Sequence, residues 1–288
     1  MASRWRLAAW LLRRTFVAAY EDGCFGTAKG AAYSALLCFF PLLTATATVL
    51  VQIRAEPVSR LLSRVLAHAV PPGTEAAVLE TFRAQGERPF SLLVAASLIS
   101  LWAASRVMTS FLEGFQAIYR IPKGRPFFQH QGMAILLVLS TAAPVALGLM
   151  LVLFGTRVEG WVMRRLGVVP AGQELEWGVA LAAKLIRYAV ALAAGAGAAA
   201  VLYALGPNRP QRWRFVWPGA LVATLLWLAS TLAFGWYVRN IADYNLLYGS
   251  IGAAIALMVW LYVLAAVALI GCEFNAELER LSHALGHG

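Results

Sequence analysis

Six separate stretches of about twenty mostly apolar residues, spread between Gly30 and Ile270, constrain this chain more than any other feature. A helix needs roughly 20 apolar residues to cross the hydrocarbon layer of a bilayer, and each stretch meets that length. They cover about 30–51, 90–109, 132–155, 178–205, 218–238 and 250–270. Of the 288 residues 60% are apolar and only 13% are charged, and mean hydropathy is +0.69. A soluble domain carries about 25% charged residues, so this much apolar surface cannot be hidden in one globule and must face lipid. The expected fold is an all-α membrane protein: a six-transmembrane helical bundle with an N-terminal amphipathic helix and a helical extracytoplasmic loop.

The expected organisation is an amphipathic segment over 1–29, a membrane domain over 30–271 and a tail over 272–288. From Ser3 to Glu21, Trp5, Leu7, Trp10, Leu11, Leu12 and Phe16 interleave with four arginines. That pattern suits a helix lying in the headgroup region; packing on the rest of the protein is the alternative. The same arginines break up any signal-peptide core, so the first span is expected to act as an uncleaved insertion signal. The longest polar stretch, 52–89, places Val58, Leu61, Leu62, Val65 and Leu66 at helical spacing after Pro57, which predicts a helix within this loop.

The chain carries 24 Lys and Arg against 14 Asp and Glu, a formal net charge of +10. In a soluble protein that balance points first to nucleic acid. Here the basic residues flank the spans, as in Arg13-Arg14, Arg120-Ile121-Pro122-Lys123 and Arg209-Pro210-Gln211-Arg212. Topology and anionic headgroups both ask for positive charge there. The expected partners are therefore anionic membrane lipids and not nucleic acid; whether a second copy or an envelope protein also binds stays open. With the N-terminus inside, the inner segments hold 12 Lys and Arg and the outer segments hold 9, five of them in the long first loop. Long loops cross regardless of charge. Discounting that loop leaves 12 against 4, so both termini are expected in the cytosol.

Ionisable residues inside spans cost roughly 3 kcal/mol each at the bilayer centre and usually face a cavity or a partner. Lys184 and Arg187 are three apart and share a helix face. Ala191, Gly195 and Ala198 continue that face and let a neighbouring backbone approach. The pair suits an anionic lipid headgroup or a carboxylate; the alternative is that Lys184 snorkels to the outer interface. Arg106 and Glu113, seven apart on the second span, are the other candidate substrate or lipid contacts. Glu273, Asn275 and Glu277 follow the sixth span, where a bundle-facing carboxylate is expected to pair with Arg120 or Arg209 and fix helix packing. Thr44, Thr46 and Thr48 alternate along the first span and are expected to bond their own backbone.

Nothing in the sequence carries catalysis. His68, His130, His283 and His287 lack metal-ligand spacing, and Cys24, Cys38 and Cys272 give neither a disulfide framework nor a zinc site. No nucleophile elbow, phosphate loop or zinc-helix signature is present. A nuclease would need clustered carboxylates for two metals or a histidine pair, and neither is visible. No enzyme activity, metal or cofactor is expected.

Four stretches carry a family likeness: Gly30-Ala31-Ala32-Tyr33-Ser34-Ala35-Leu36-Leu37 running to Phe40-Pro41-Leu42; Gly114-Phe115-Gln116-Ala117-Ile118-Tyr119-Arg120; and Leu202-Tyr203-Ala204-Leu205-Gly206-Pro207-Asn208-Arg209 followed by Trp217-Pro218-Gly219-Ala220. The fourth and most specific is Tyr248-Gly249-Ser250-Ile251-Gly252, then Trp260-Leu261-Tyr262, then Gly271-Cys272-Glu273-Phe274-Asn275-Ala276-Glu277. In these the chain resembles the YihY/BrkB family of bacterial membrane proteins, some of which carry an old label as ribonuclease BN. The likeness covers most of the chain in the right order, with Cys272 and Phe274 departing from the expected Ala and Leu or Ile. It implies six spans, both termini cytosolic and the bacterial inner membrane, but no agreed biochemical activity.

Two functional readings follow. A transporter or flippase-like conduit for an anionic lipid or envelope precursor rests on Lys184, Arg187 and Arg106, and predicts a hydrophilic cavity open to lipid. A non-catalytic scaffold or envelope-integrity factor predicts a closed, dry bundle and a protein partner.

Overall fold

The computed structural model describes residues 2–52, 90–122, 124–165, 177–240, 249–284 and 286. The helix expected after Pro57, and the segment from Asp243 to Tyr248, lie outside them. The described residues form seven helices and no strand: α1 (Ala2–Glu21), α2 (Cys24–Gln52), α3 (Phe90–Ile118), α4 (Phe127–Arg165), α5 (Trp177–Leu205), α6 (Trp213–Asn240) and α7 (Gly249–Ala284). Six of them, α2 to α7, are long and apolar enough to cross a membrane. This is the all-α, six-span architecture the apolar pattern predicts.

Three prolines lie inside helices without ending them: Pro41 in α2, Pro144 in α4 and Pro218 in α6. Membrane helices tolerate this because neighbouring groups re-satisfy the backbone that proline frees. In α2 the hydroxyls of Thr44, Thr46 and Thr48 donate to the carbonyls of Phe40, Leu42 and Thr44 at 3.0, 2.8 and 2.7 Å, the own-backbone bonding their alternation suggests. At 36 residues α7 is about 54 Å long, well beyond the hydrocarbon thickness. It therefore carries Glu273 to Arg280 on the same rigid rod as the apolar span.

The helices form a ring in chain order. α2 packs on α3, α3 on α4, α4 on α5, α5 on α6 and α6 on α7, and α7 closes the ring on α2. From α3 onward short connections make successive helices antiparallel neighbours, whereas α2 and α3 pack together although the long 53–89 stretch joins them. α7 also reaches α3 across the ring, and α1 lies against α7 and α2 at the end that carries both termini, called here the terminal end. The α2–α3–α7 side is filled by a packed core: Ala28 and Ala31 from α2, Leu112, Phe115 and Ile118 from α3, and Leu269 from α7. Leu137 of α4 and Tyr203 of α5 join it.

Two tight turns hold the terminal end. Between α1 and α2, Gly23 takes φ +71° and the Asp22 N–H donates back to Ala18 O at 2.8 Å, a left-handed helix ending that glycine allows without strain. After α3, Arg120 takes φ 51°, and the Ile121 N–H reaches back to Gln116 O at 2.9 Å. A non-glycine residue in that conformation costs roughly 1–2 kcal/mol, so the surrounding contacts must hold it. α1 buries Leu11, Thr15, Ala18 and Ala19 against the bundle and leaves Leu7, Trp10, Phe16 and Arg13 exposed. One face thus packs on the protein while the other keeps the mixed apolar and basic surface of an interfacial helix.

Candidate functional site

The other side of the ring is not filled. A cleft of about 640 Å³ lies between α4, α5, α6 and α7, within the range of roughly 300–1,000 Å³ typical of ligand sites. Part of its wall is small or flat, with Gly148 of α4, Ala191, Gly195 and Ala199 of α5 and Ala223 and Trp227 of α6, and branched aliphatic side chains such as Leu192, Leu264 and Val267 complete it. Small residues on facing helices leave volume where Leu or Phe would fill it. Two of its hydroxyls are already committed to backbone. Tyr203, fully buried, donates its hydroxyl to Ala268 O at 2.6 Å, and Thr224 donates to Ala220 O at 2.8 Å. The hydrophilic cavity of the conduit reading is therefore replaced by an apolar one. Tyr203, stacked edge-on against Phe115 at 6.0 Å, closes it toward the terminal end.

At the opposite end of this cleft Arg187 directly precedes the lining residue Tyr188, and Lys184 lies one turn from that residue along α5. Lys184 is exposed and Arg187 is half-buried. The Arg187 guanidinium lies 5.5 Å from the ring centroid of Tyr188, which lines the cleft. Arg106 and Glu113 are both exposed on α3, which is not a ring neighbour of α5. The structure forms no ion pair between Arg106 and Glu113, because seven residues of helix separate them by about 10 Å. The four candidate lipid contacts thus fall in two places, and only the α5 pair adjoins a cavity.

The polar groups of the terminal end form a buried cluster. Glu273 is fully buried, with Oε1 3.3 Å from Arg280 Nη1. The same nitrogen lies 2.6 Å from Glu277 Oε1, and Arg280 Nη2 donates to the Ile118 carbonyl at 2.6 Å. Arg280 thereby satisfies an orphan carbonyl at the end of α3. Arg14 of α1 sits 3.6 Å from Glu277, and Arg120 sits 3.8 Å from Asp22. Arg209 pairs with Glu279 and lies over the Tyr119 ring, 4.2 Å from its centroid. Burial pushes the Tyr119 hydroxyl far above its ordinary range, so it stays neutral.

Asn275 has a different job from the carboxylates. Its Oδ1 accepts the Gly219 N–H at 2.6 Å and its Nδ2 donates to Val216 O at 3.0 Å. One side chain thus serves a donor and an acceptor on either side of Pro218. Across the ring, Arg125 donates to the carbonyls of Gly206, Leu205 and Pro207 at 2.8, 3.3 and 3.3 Å, capping the end of α5 with a cation where the helix dipole favours one.

In place of the expected pairing with Arg120 or Arg209, Glu273 meets Arg280, while Arg120 goes to Asp22 and Arg209 to Glu279. Arg280 sits seven residues further along the same rod, and its long side chain folds back beneath α3, a placement no sequence spacing signals. Asp22, Arg14, Arg125 and Tyr119 escaped the sequence reading for the same reason: each reaches its partner across an interface between separate elements. Among the described residues no group of three His, Cys, Asp or Glu is arranged to hold a metal ion.

Relatives agree with a membrane protein of this type. The chain is 27% identical over 265 residues to the putative ribonuclease-like protein YfkH of Bacillus subtilis, covering 88% of this chain and 90% of that protein. It is 28% identical over 252 residues to a UPF0761 membrane protein of Chromobacterium violaceum, covering 86% and 56%. It is 31% identical over 288 residues to a UPF0761 membrane protein of Delftia acidovorans, covering 95% and 62%. The chain therefore spans nearly all of the Bacillus relative but about three-fifths of the UPF0761 relatives. No solved structure matches. The sequence profile of the family described as virulence factor BrkB matches residues 15–287, and with the six apolar helices this makes the chain a membrane protein of the BrkB family.

Proposed function

We propose that this protein is a conduit for an anionic amphiphile, a lipid or envelope precursor, whose apolar tail occupies the cleft and whose head lies at Lys184 and Arg187. The observation that carries the reading is the unfilled, apolar cleft inside the ring, adjoined by two cations of α5. An apolar tail needs no hydrogen-bond partners, which suits mostly apolar walls in which the Tyr203 and Thr224 hydroxyls are already bonded to backbone. A headgroup inside the cleft would be left unsatisfied, so the head stays at the mouth. We place the protein in the bacterial inner membrane with the terminal end in the cytosol, as the flanking charges and the family likeness favour. The ribonuclease-like name of the Bacillus relative is not carried over, since the reading draws on no nucleophile or metal chemistry.

The scaffold reading draws on one observation of its own, the seal that Tyr203 and Phe115 form at the terminal side of the cleft. Native mass spectrometry of the gently solubilised protein separates the two. The wild type is expected to retain one defined anionic lipid, and Lys184→Gln/Arg187→Gln to lose it. Equal retention in both proteins, or none in either, would sink the conduit reading and favour the scaffold.

A further inference from the structure

Glu273 is the most deeply buried carboxylate among the described residues, with no exposed side-chain surface, against 5% for Glu277, 12% for Asp22 and 19% for Glu279. Only one of its oxygens is answered. Oε1 faces Arg280 at 3.3 Å, while Oε2 has no hydrogen-bond partner, and neither has Oδ2 of Asp22. The cations that complete the cluster are badly placed to help. Arg120 is 64% exposed and stands 3.8 Å from Asp22, and Arg14 is 41% exposed and reaches Glu277 instead. Arg280 is the cation that reaches Glu273, and its shorter bonds go to Glu277 and to the Ile118 carbonyl, both at 2.6 Å.

One inward guanidinium therefore serves two buried carboxylates, with a third, Asp22, at the α1–α2 turn. A buried ionised carboxylate with an unanswered oxygen is costly, and groups so placed are commonly neutralised. We propose that Glu273 is a proton-binding site. Burial first, and then the charge of Asp22, oppose its ionisation. The groups around it are Asp22 at the α1–α2 turn, Cys24 of α2, the Ile118 carbonyl and Arg120 at the end of α3, and Cys272, Glu277 and Arg280 of α7. When the proton is bound, Arg280 is left to Glu277 and Ile118. When it leaves, Glu273 competes for the same guanidinium and loosens the tie between α7 and α3. The site stands 5 residues along α7 from Ala268 at the closed end of the cleft, and it holds a proton whatever the cleft carries.

Infrared spectroscopy of the full chain in lipid nanodiscs tests this directly. The wild type is expected to show the carbonyl band of a protonated carboxyl persisting above pH about 5, where an exposed glutamate with a pKa near 4.3 is ionised. The band should vanish in Glu273→Gln, shift in frequency in Glu273→Asp, and titrate away at lower pH in Asp22→Asn. A wild-type spectrum without the band, or a band unchanged in Glu273→Gln, would overturn the site. A titration unmoved in Asp22→Asn would overturn the role of Asp22. If the glutamine variant fails to fold, the wild-type and Glu273→Asp spectra still decide. Lipid retention plays no part in the readout, so this site and the conduit stand or fall separately.

Discussion

At Asn275 a single amide holds two helices in register, and its worth follows from what it leaves behind when removed. Asn275→Ala strips the Gly219 N–H and Val216 carbonyl of their partner in a place where water cannot substitute. Leaving a buried donor or acceptor unsatisfied costs about 1–3 kcal/mol, and a loss of that order is expected in detergent-monitored unfolding. Substitution of the exposed Glu113 should change little, since no neighbour depends on it. In the sequence Glu273 and Asn275 read as the polar flank that any span has; their full burial is what sets them apart, and only the packing of α7 produces it. Their partners do not stand out either: Arg280, Asp22 and Gly219 look like ordinary surface or spacer residues until the fold brings them together.

Among the elements, α6 and α7 approach each other closely at Gly219 and Gly271. A methyl group on Gly271 would come within 2.6 Å of both Ala223 Cβ and Tyr203 Oη, and one on Gly219 would overlap the Gly271 carbonyl oxygen. Without a hydrophobic drive between helices, close backbone approach through small residues supplies the packing. Gly219→Ala must push the helices apart and is expected to lower the unfolding midpoint clearly. Gly197→Ala in α5 meets nothing within 4 Å and should be neutral, or gain up to about 1 kcal/mol from helix propensity. Equal effects of the two would mean that the crossing is looser than the structure shows. The helices themselves were legible from apolar length. Their ends were less so, because α2 begins at Cys24 and α7 runs on to Ala284 once capping and packing partners extend them beyond the apolar stretch.

At the scale of the whole molecule, the ring has one filled side and one open side, and glycine and alanine on α4, α5 and α6 help to leave the open side unfilled. The Cβ position of Gly195 lies 3.7 Å from Thr224 Cγ2, so a larger side chain there must extend into the cleft. Gly195→Leu is expected to cut retained lipid several-fold in native mass spectrometry while the protein stays folded. Gly197→Leu, whose position does not line the cleft, should retain it. Comparable loss in both would indicate a general packing defect and not an occupied cleft.

Six spans, the all-α class and the family were determined by the sequence itself, because crossing a bilayer demands contiguous apolar length, and contiguous length is written in order along the chain. Lys184 and Arg187 were conspicuous for the same reason, as charges interrupting such a run. What only the tertiary structure decided is which helices meet. The ring closure of α7 on α2, the apolar cleft between α4 and α7, the fold-back of Arg280 beneath α3 and the unanswered oxygen of Glu273 all join residues far apart in the chain. Lipid-facing and helix-facing surfaces are equally apolar, so hydropathy does not say which face of a span turns inward; close packing of small residues and the pairing of buried polar groups do.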